Sequence, residues 1–267
     1  METPPTSTGA PELERRQSRS RKGLVALVAA TPLLLASCKV PDFWVSRGET
    51  TQAHDTFKLW QLFMVLGIIV GVFVLMLMLW AIVRYRAKGD AIPKQTQYHV
   101  PLEIIYTVIP AIMVAGLFWA TVVQENKVTA MPVSKPTVTV DAFQWGWKFR
   151  YPGHPGATVV GQTTENPTLV LPAGVPSKIV LTSSDVVHGF YVHDFNFSRY
   201  AQPGVVNTFT LTPKKTGTFD GQCTQLCGLY HSLMYFKVKV VTPAEFQQWL
   251  ATSDRNAATG TSQGGTK

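Results

Sequence analysis

Two thiols, an imidazole and a thioether fall within twelve residues of this chain, spaced Cys223-x3-Cys227-x3-His231-x2-Met234. Sulfur and imidazole are soft or borderline donors, and such a set selects copper over hard cations. Zinc is a second reading, because two Cys and two His make an ordinary structural set. Methionine, however, has no place in such a site, and the Cys-x2-Cys knuckle is missing. A disulfide between Cys223 and Cys227 is a third reading, since an exported domain sits where thiols oxidise. It leaves His231 and Met234 without a role. A second imidazole must come from outside the stretch. His188, in Ser184-Asp185-Val186-Val187-His188-Gly189-Phe190, ranks first because its apolar flanks would seal a site from water; His193 ranks second.

These side chains need an exported, folded domain to hold them. The 267 residues are 46% hydrophobic with mean hydropathy +0.10, too apolar for an ordinary soluble protein. The net charge of +8 is placed with a purpose. Arg15, Arg16, Arg19, Arg21 and Lys22 precede an apolar run, and Arg84, Arg86, Lys88 and Lys94 lie between two others, so the surplus reads as a topology signal. The sequence carries no nucleic-acid motif. Leu24 to Ala36 has signal-peptide length. Leu35-Ala36-Ser37-Cys38 resembles a bacterial lipobox, which makes residues 1–37 a lipoprotein-type signal peptide and Cys38 the lipidated first residue of the mature chain; the bland alternative is an ordinary signal peptide or short anchor. Residues 38–58 are then an extracytoplasmic segment.

Leu59 to Val83 is an uncharged run, expected as the first transmembrane helix (59–83). Ile104 to Gln124 is another, expected within a second helix over 103–124, where neighbouring helices make Pro110 tolerable. The loop 84–102 is rich in Lys and Arg and is expected on the cytoplasmic side of a bacterial plasma membrane, with both termini outside. Beyond Val123 the pattern changes to short β-rich runs separated by Pro and Gly. Strands are expected at 137–143, 145–151, 168–171, 178–182, 186–192, 206–212, 216–221 and 234–241, which suggests a sandwich or Greek-key barrel over 130–250. Thr242-Pro243-Ala244-Glu245 has a capping-box pattern, so 243–250 is expected to be helical. The tail 251–267 reads as disordered.

Four stretches together resemble subunit II of the haem-copper cytochrome c oxidases: the Gly221-to-Met234 ligand motif, Asp185-Val186-Val187-His188, Gln144-Trp145-x-Trp147, and Glu103-Ile104-Ile105-Tyr106-Thr107-Val108-Ile109-Pro110. The resemblance covers about residues 55 to 250. It implies a membrane-anchored, cupredoxin-like Greek-key β-domain holding a dinuclear copper centre (copper A). Cys223 and Cys227 are implied as bridging thiolates, His188 and His231 as imidazole ligands, Met234 as a weak thioether, and Gln225 as a main-chain carbonyl ligand. Trp145 is implied as the point of electron input, and Glu103 as the mouth of a proton pathway. Subunits I and III, a c-type cytochrome donor and the lipid bilayer are the implied partners, with haem in subunit I only. The activity implied is that of cytochrome c oxidase, of which this chain is the electron-accepting subunit.

The sequence departs from the family pattern at three places. Gln225 stands where the family usually has Glu, whose side chain helps bind a magnesium ion, so the copper contact carries over and the magnesium role is left open. Gly146 replaces a usual aromatic residue beside Trp145. Lys148 and Arg150 lie where acidic residues often receive a basic cytochrome, and from Glu125 onward there are twelve basic and eight acidic residues. That balance favours a donor other than a free, highly basic cytochrome c, such as a membrane-bound one. A copper-handling lipoprotein is the alternative of a different class. Quinol-oxidase relatives generally lack the two cysteines.

Overall fold

The computed structural model describes residues 45–259, apart from 87, 88, 90, 91, 93 and 94. The expected signal peptide, the expected lipidation residue Cys38 and residues 260–267 lie outside the described residues. Helix α1 runs Thr51–Arg84 and α2 runs Val100–Val128. Both are long and apolar enough to cross a membrane. At about 1.5 Å per residue, α1 far exceeds the ~30 Å of hydrocarbon. It starts ahead of the uncharged run because Thr50 caps it, its hydroxyl accepting from Ala53 N at 3.0 Å, and because Gln52, Ala53 and Phe57 are buried. Beyond these first turns its apolar side chains stand open, as lipid-facing residues do. Helix α2 starts at a cap built from His99, whose Nδ1 accepts from Leu102 N, and Glu103, whose carboxylate accepts from His99 N.

Ten strands follow: β1 (Val138–Phe143), β2 (Gly146–Tyr151), β3 (His154–Gln162), β4 (Thr168–Pro172), β5 (Ser177–Ser183), β6 (His188–Val192), β7 (Phe197–Ala201), β8 (Asn207–Leu211), β9 (Gly217–Cys223) and β10 (Tyr235–Val241). They form two five-stranded sheets, ordered β3-β2-β1-β5-β8 and β4-β10-β9-β6-β7. The β1–β5 and β4–β10 pairs are parallel and the others antiparallel. Period-two alternation puts Val138, Val140 and Ala142 of β1 and Phe236, Val238 and Val240 of β10 into one core with Trp147, Phe149 and Phe190. Two apolar helices followed by a cupredoxin-like β-sandwich is the expected fold class.

Two strands were not expected. β3 contains Pro155 and two glycines, and β7 is short; both are sheet edges, where weak strand formers are tolerated. The expected disordered tail needs correction at its start, because helix α3 runs Pro243–Ala258. The capping box of Thr242 and Glu245 starts it as the sequence suggests. It continues past Leu250 because Ser253 is buried and Asp254 holds β3, its carboxylate accepting from Gly156 N at 2.9 Å and meeting His154 Nδ1 at 2.7 Å. A composition rich in Ser, Thr and Asn does not reveal that anchorage.

Candidate metal centre

One end of the sandwich assembles the centre from elements distant in sequence. Cys223 closes β9, His188 opens β6, and the segment from Thr224 to Met234 returns the chain to β10 through a single 3-10 turn, His231–Leu233. Cys223 N donates to Met234 O at 3.0 Å, which closes the base of this loop. Thr224 N donates to Gly189 O at 3.1 Å and ties it to β6. A Cβ on Gly189 would collide with Thr224 Oγ1 and stand 2.9 Å from Gln225 N, so the close approach needs glycine there.

The donor atoms converge. Cys223 Sγ lies 3.8 Å from Cys227 Sγ, 3.9 Å from His188 Nδ1 and 3.3 Å from the Gln225 carbonyl oxygen. Cys227 Sγ lies 3.6 Å from His231 Nδ1 and 3.8 Å from Met234 Sδ. With ligand bonds of about 2.0–2.3 Å, two donors on one tetrahedral metal sit roughly 3.3–3.8 Å apart. The observed separations match ligands sharing a metal, and the thiols are not joined as a disulfide. His188, Cys223 and Cys227 are all buried and close enough to hold an ion. His193 belongs elsewhere: it is exposed at the 3-10 turn His193–Phe195, with Nδ1 2.9 Å from the Tyr191 hydroxyl.

A layer around these donors fixes them. Asp185 Oδ1 accepts from His188 Nε2 at 2.8 Å, which leaves Nδ1 turned toward Cys223. The same carboxylate accepts from Val186 N and Gln144 N, each at 2.6 Å. Burial works to raise the Asp185 carboxyl, but these hydrogen bonds outweigh it and hold the group below its ordinary value. Burial likewise opposes protonation of His188, and the hydrogen bonds with Cys223 and Asp185 outweigh it and raise the imidazole. At Cys223 burial favours the thiol, yet hydrogen bonds from His188, Gly189 N and the Gln225 backbone lower it to about 6. Cys227 is pushed up to about 12 by burial and by the charge on Cys223. Charge on one thiol opposes ionisation of the other, and a bound cation would favour both thiolates.

Trp145 is separated from the strand alternation that its neighbours obey. Trp147, Phe149 and Tyr151 are core residues, whereas Trp145 occupies the two-residue turn between β1 and β2 and is half-buried. Its indole Nε1 donates to Cys227 O at 3.1 Å, and Gln144 Nε2 donates to the same oxygen at 2.8 Å. Sequence reasoning missed Gln144, Asp185 and Gly189 as working parts. Only Asp185 carried a usable signal, a carboxylate three residues before a candidate ligand histidine. Glu103 lies at the start of α2, away from this centre in sequence and element.

The sequence matches the family described as cytochrome c oxidase subunit II, transmembrane domain, over residues 42–119. It matches cytochrome c oxidase subunit II, periplasmic domain, over residues 156–241. The Streptomyces avermitilis protein named "Probable cytochrome c oxidase subunit 2" is 35% identical over 94% of this chain and 92% of its own length. The Mycobacterium bovis cytochrome c oxidase subunit 2 is 31% identical over 92% of this chain and 84% of its own. The crystal structure of the periplasmic domain of subunit II of cytochrome oxidase of Bradyrhizobium japonicum is 28% identical, covering 48% of this chain and 99% of that one with a TM-score of 0.42. On the two family matches and on relatives more than 30% identical over most of their length, the chain belongs to the cytochrome c oxidase subunit II family.

Proposed function

We propose that this chain receives single electrons from a c-type cytochrome and passes them to haem in subunit I of a membrane cytochrome c oxidase, for reduction of oxygen to water coupled to proton translocation. The observation that carries this reading is the convergence of six donor groups at metal-sharing distances. Copper held by these residues would supply one-electron chemistry. Cys223 and Cys227 would be its thiolate ligands. His188 and His231 supply imidazoles, Met234 a weak thioether and Gln225 its carbonyl. Asp185 holds the tautomer of His188, and the buried shell keeps water out.

Trp145 is the point of electron input in this reading, supported by its half-exposed ring and its hydrogen bond to the backbone of a ligand residue. Glu103 is assigned to the mouth of a proton pathway; its carboxylate stands at the start of α2, accepting from His99 N. Both termini and the β-domain lie on the extracytoplasmic face, Cys38 carries lipid, and subunits I and III complete the assembly with a donor that fits a membrane-bound cytochrome. Magnesium is not assigned, because Gln225 lacks the carboxylate. The purified chain is expected to bind two copper ions and show the intense visible bands and shared-spin resonance of a mixed-valence pair. One zinc per chain, or one labile copper, would overturn the reading and favour a metal-handling lipoprotein.

A further inference from the structure

Where α1 leaves the β-domain, positive charge gathers from two distant parts of the chain. Lys58 is the last charged residue before the uncharged run Leu59 to Val83, and its side chain is 72% exposed. His54 lies one turn earlier on the same helix face. Arg47, from the segment ahead of α1, places its guanidinium over the ring of Phe57 at 5.7 Å. Lys214 and Lys215 come from the loop after β8, which is fastened to that segment: Lys214 N donates to Glu49 O at 2.8 Å, and Thr50 forms an isolated β-bridge with Pro213. The charges of Lys214, Lys58 and Arg47 all reach the His54 imidazole, and each acts on it more strongly than that of Asp55.

Asp55 and Glu49 share this corner without cancelling it. Asp55 Oδ1 stands 3.9 Å from Lys58 Nζ, and Glu49 Oε1 stands 3.9 Å from Lys215 Nζ. Both pairs are long and their lysines mostly exposed, so water and mobile ions compete for them. Asp194 meets the segment through its main-chain oxygen, which accepts from Glu49 N. Among the described residues Lys214 has no carboxylate partner.

Depth decides what this charge meets. The uncharged run fills the hydrocarbon, so Lys58 and Trp60, two residues apart at its start, stand at the level of the lipid headgroups. Basic side chains at that level extend their charged ends to the interface, where lipid phosphates lie. We propose that Arg47, Lys58 and Lys214, with His54 between them, hold the phosphate of an anionic phospholipid in the leaflet next to the β-domain. A zwitterionic lipid brings its own ammonium to the same place, so the cluster favours a headgroup of net negative charge.

The test uses the intact chain, immobilised in a zwitterionic detergent and equilibrated with micelles containing phosphatidylglycerol or phosphatidylcholine of the same acyl chains. Lipid retained after washing is counted by mass spectrometry. Comparison with Lys58→Gln/Lys214→Gln isolates this corner from the basic loop between the helices, which both proteins keep. The unaltered chain is expected to retain about one phosphatidylglycerol more than the double variant, while phosphatidylcholine is retained equally by both. Lys58→Arg/Lys214→Arg keeps the charge and is expected to keep the lipid; its loss there, with an unchanged circular dichroism spectrum, would overturn the proposal. Equal retention of phosphatidylglycerol by the unaltered chain and the Gln variant would also overturn it. A wash with about 20 mM inorganic phosphate should remove no more lipid than sodium chloride of equal ionic strength. Greater removal by phosphate would assign the cluster to a soluble anion instead. Loss of other oxidase subunits when the Gln variant is purified from its membranes would make the cluster a subunit contact and overturn the lipid site.

Discussion

Burial and ionisation pull in opposite directions at the thiol pair. An apolar pocket favours neutral thiols, yet a metal needs thiolates, and the chain bridges the gap with hydrogen bonds to Cys223 from His188, Gly189 N and the Gln225 backbone. Met234 differs in being neutral, a buried thioether 3.8 Å from Cys227 Sγ. Met234→Leu keeps nearly the same volume, so the cost in stability should stay below about 1.5 kcal/mol. Copper should be retained, with shifted optical bands and slower electron transfer; metal analysis and the spectrum of the purified variant check this. Cys223→Ser or Cys227→Ser should each abolish the two-metal site. Gly189→Ala should be more damaging than its size suggests, because the new methyl drives into Thr224 and the amide of Gln225. Overpacking of this kind costs about 1–3 kcal/mol. Copper titration of that variant should show weakened uptake even where the fold survives. The ligand spacing could be read from the sequence because it is local. Gly189 and Gln144 could not be assigned their parts, because what they touch lies far along the chain; Asp185 alone left a local signal, three residues before His188.

Elements were legible wherever a period was strong. The two apolar helices, eight of the ten strands and the start of α3 follow from alternation, apolar length and a capping box. β3 and β7 escaped because edge strands need less of the pattern, and the end of α3 because Asp254 is held by β3 rather than by its own helix propensity. The start of α3 gives a pH prediction. The carboxyl of Glu245 is held below its ordinary value by the backbone and side-chain hydrogen bonds of Thr242. A depressed carboxyl stabilises the fold above its unfolded pKa, and that contribution disappears as pH falls through the lower folded value. Thermal unfolding of the unaltered chain and of Glu245→Gln should therefore differ at neutral pH and converge in acid. A difference that persists after protonation would show that the capping carboxylate is not its source.

At the scale of the described residues, the question is how the β-domain is held relative to the two apolar helices. The segment before α1 is sewn into the sandwich: Glu49 N donates to Asp194 O at 2.7 Å, Thr51 N to Thr212 O at 3.0 Å and Lys214 N to Glu49 O at 2.8 Å. Gln52, on the first turn of α1, accepts from Thr212 N at 3.1 Å through its side chain and is itself buried. The first membrane helix thus grows directly out of a buried contact with the loop after β8, whereas α2 ends at Val128 and reaches β1 through an irregular linker. Orientation of the thiol–imidazole end relative to the apolar helices therefore depends on the segment around Gln52 more than on the linker. Gln52→Ala leaves the Thr212 N–H without its partner, a loss of about 1–3 kcal/mol where the amide stays dry. The metal centre is distant from Gln52 in the fold's connectivity, so its optical bands should be unchanged. Protease cleavage between residues 45 and 52 should accelerate, and electron delivery to haem should slow, because the domain samples more orientations. If cleavage and delivery both match the unaltered chain, the linker after α2 is sufficient to aim the domain and the buried contact is only local packing.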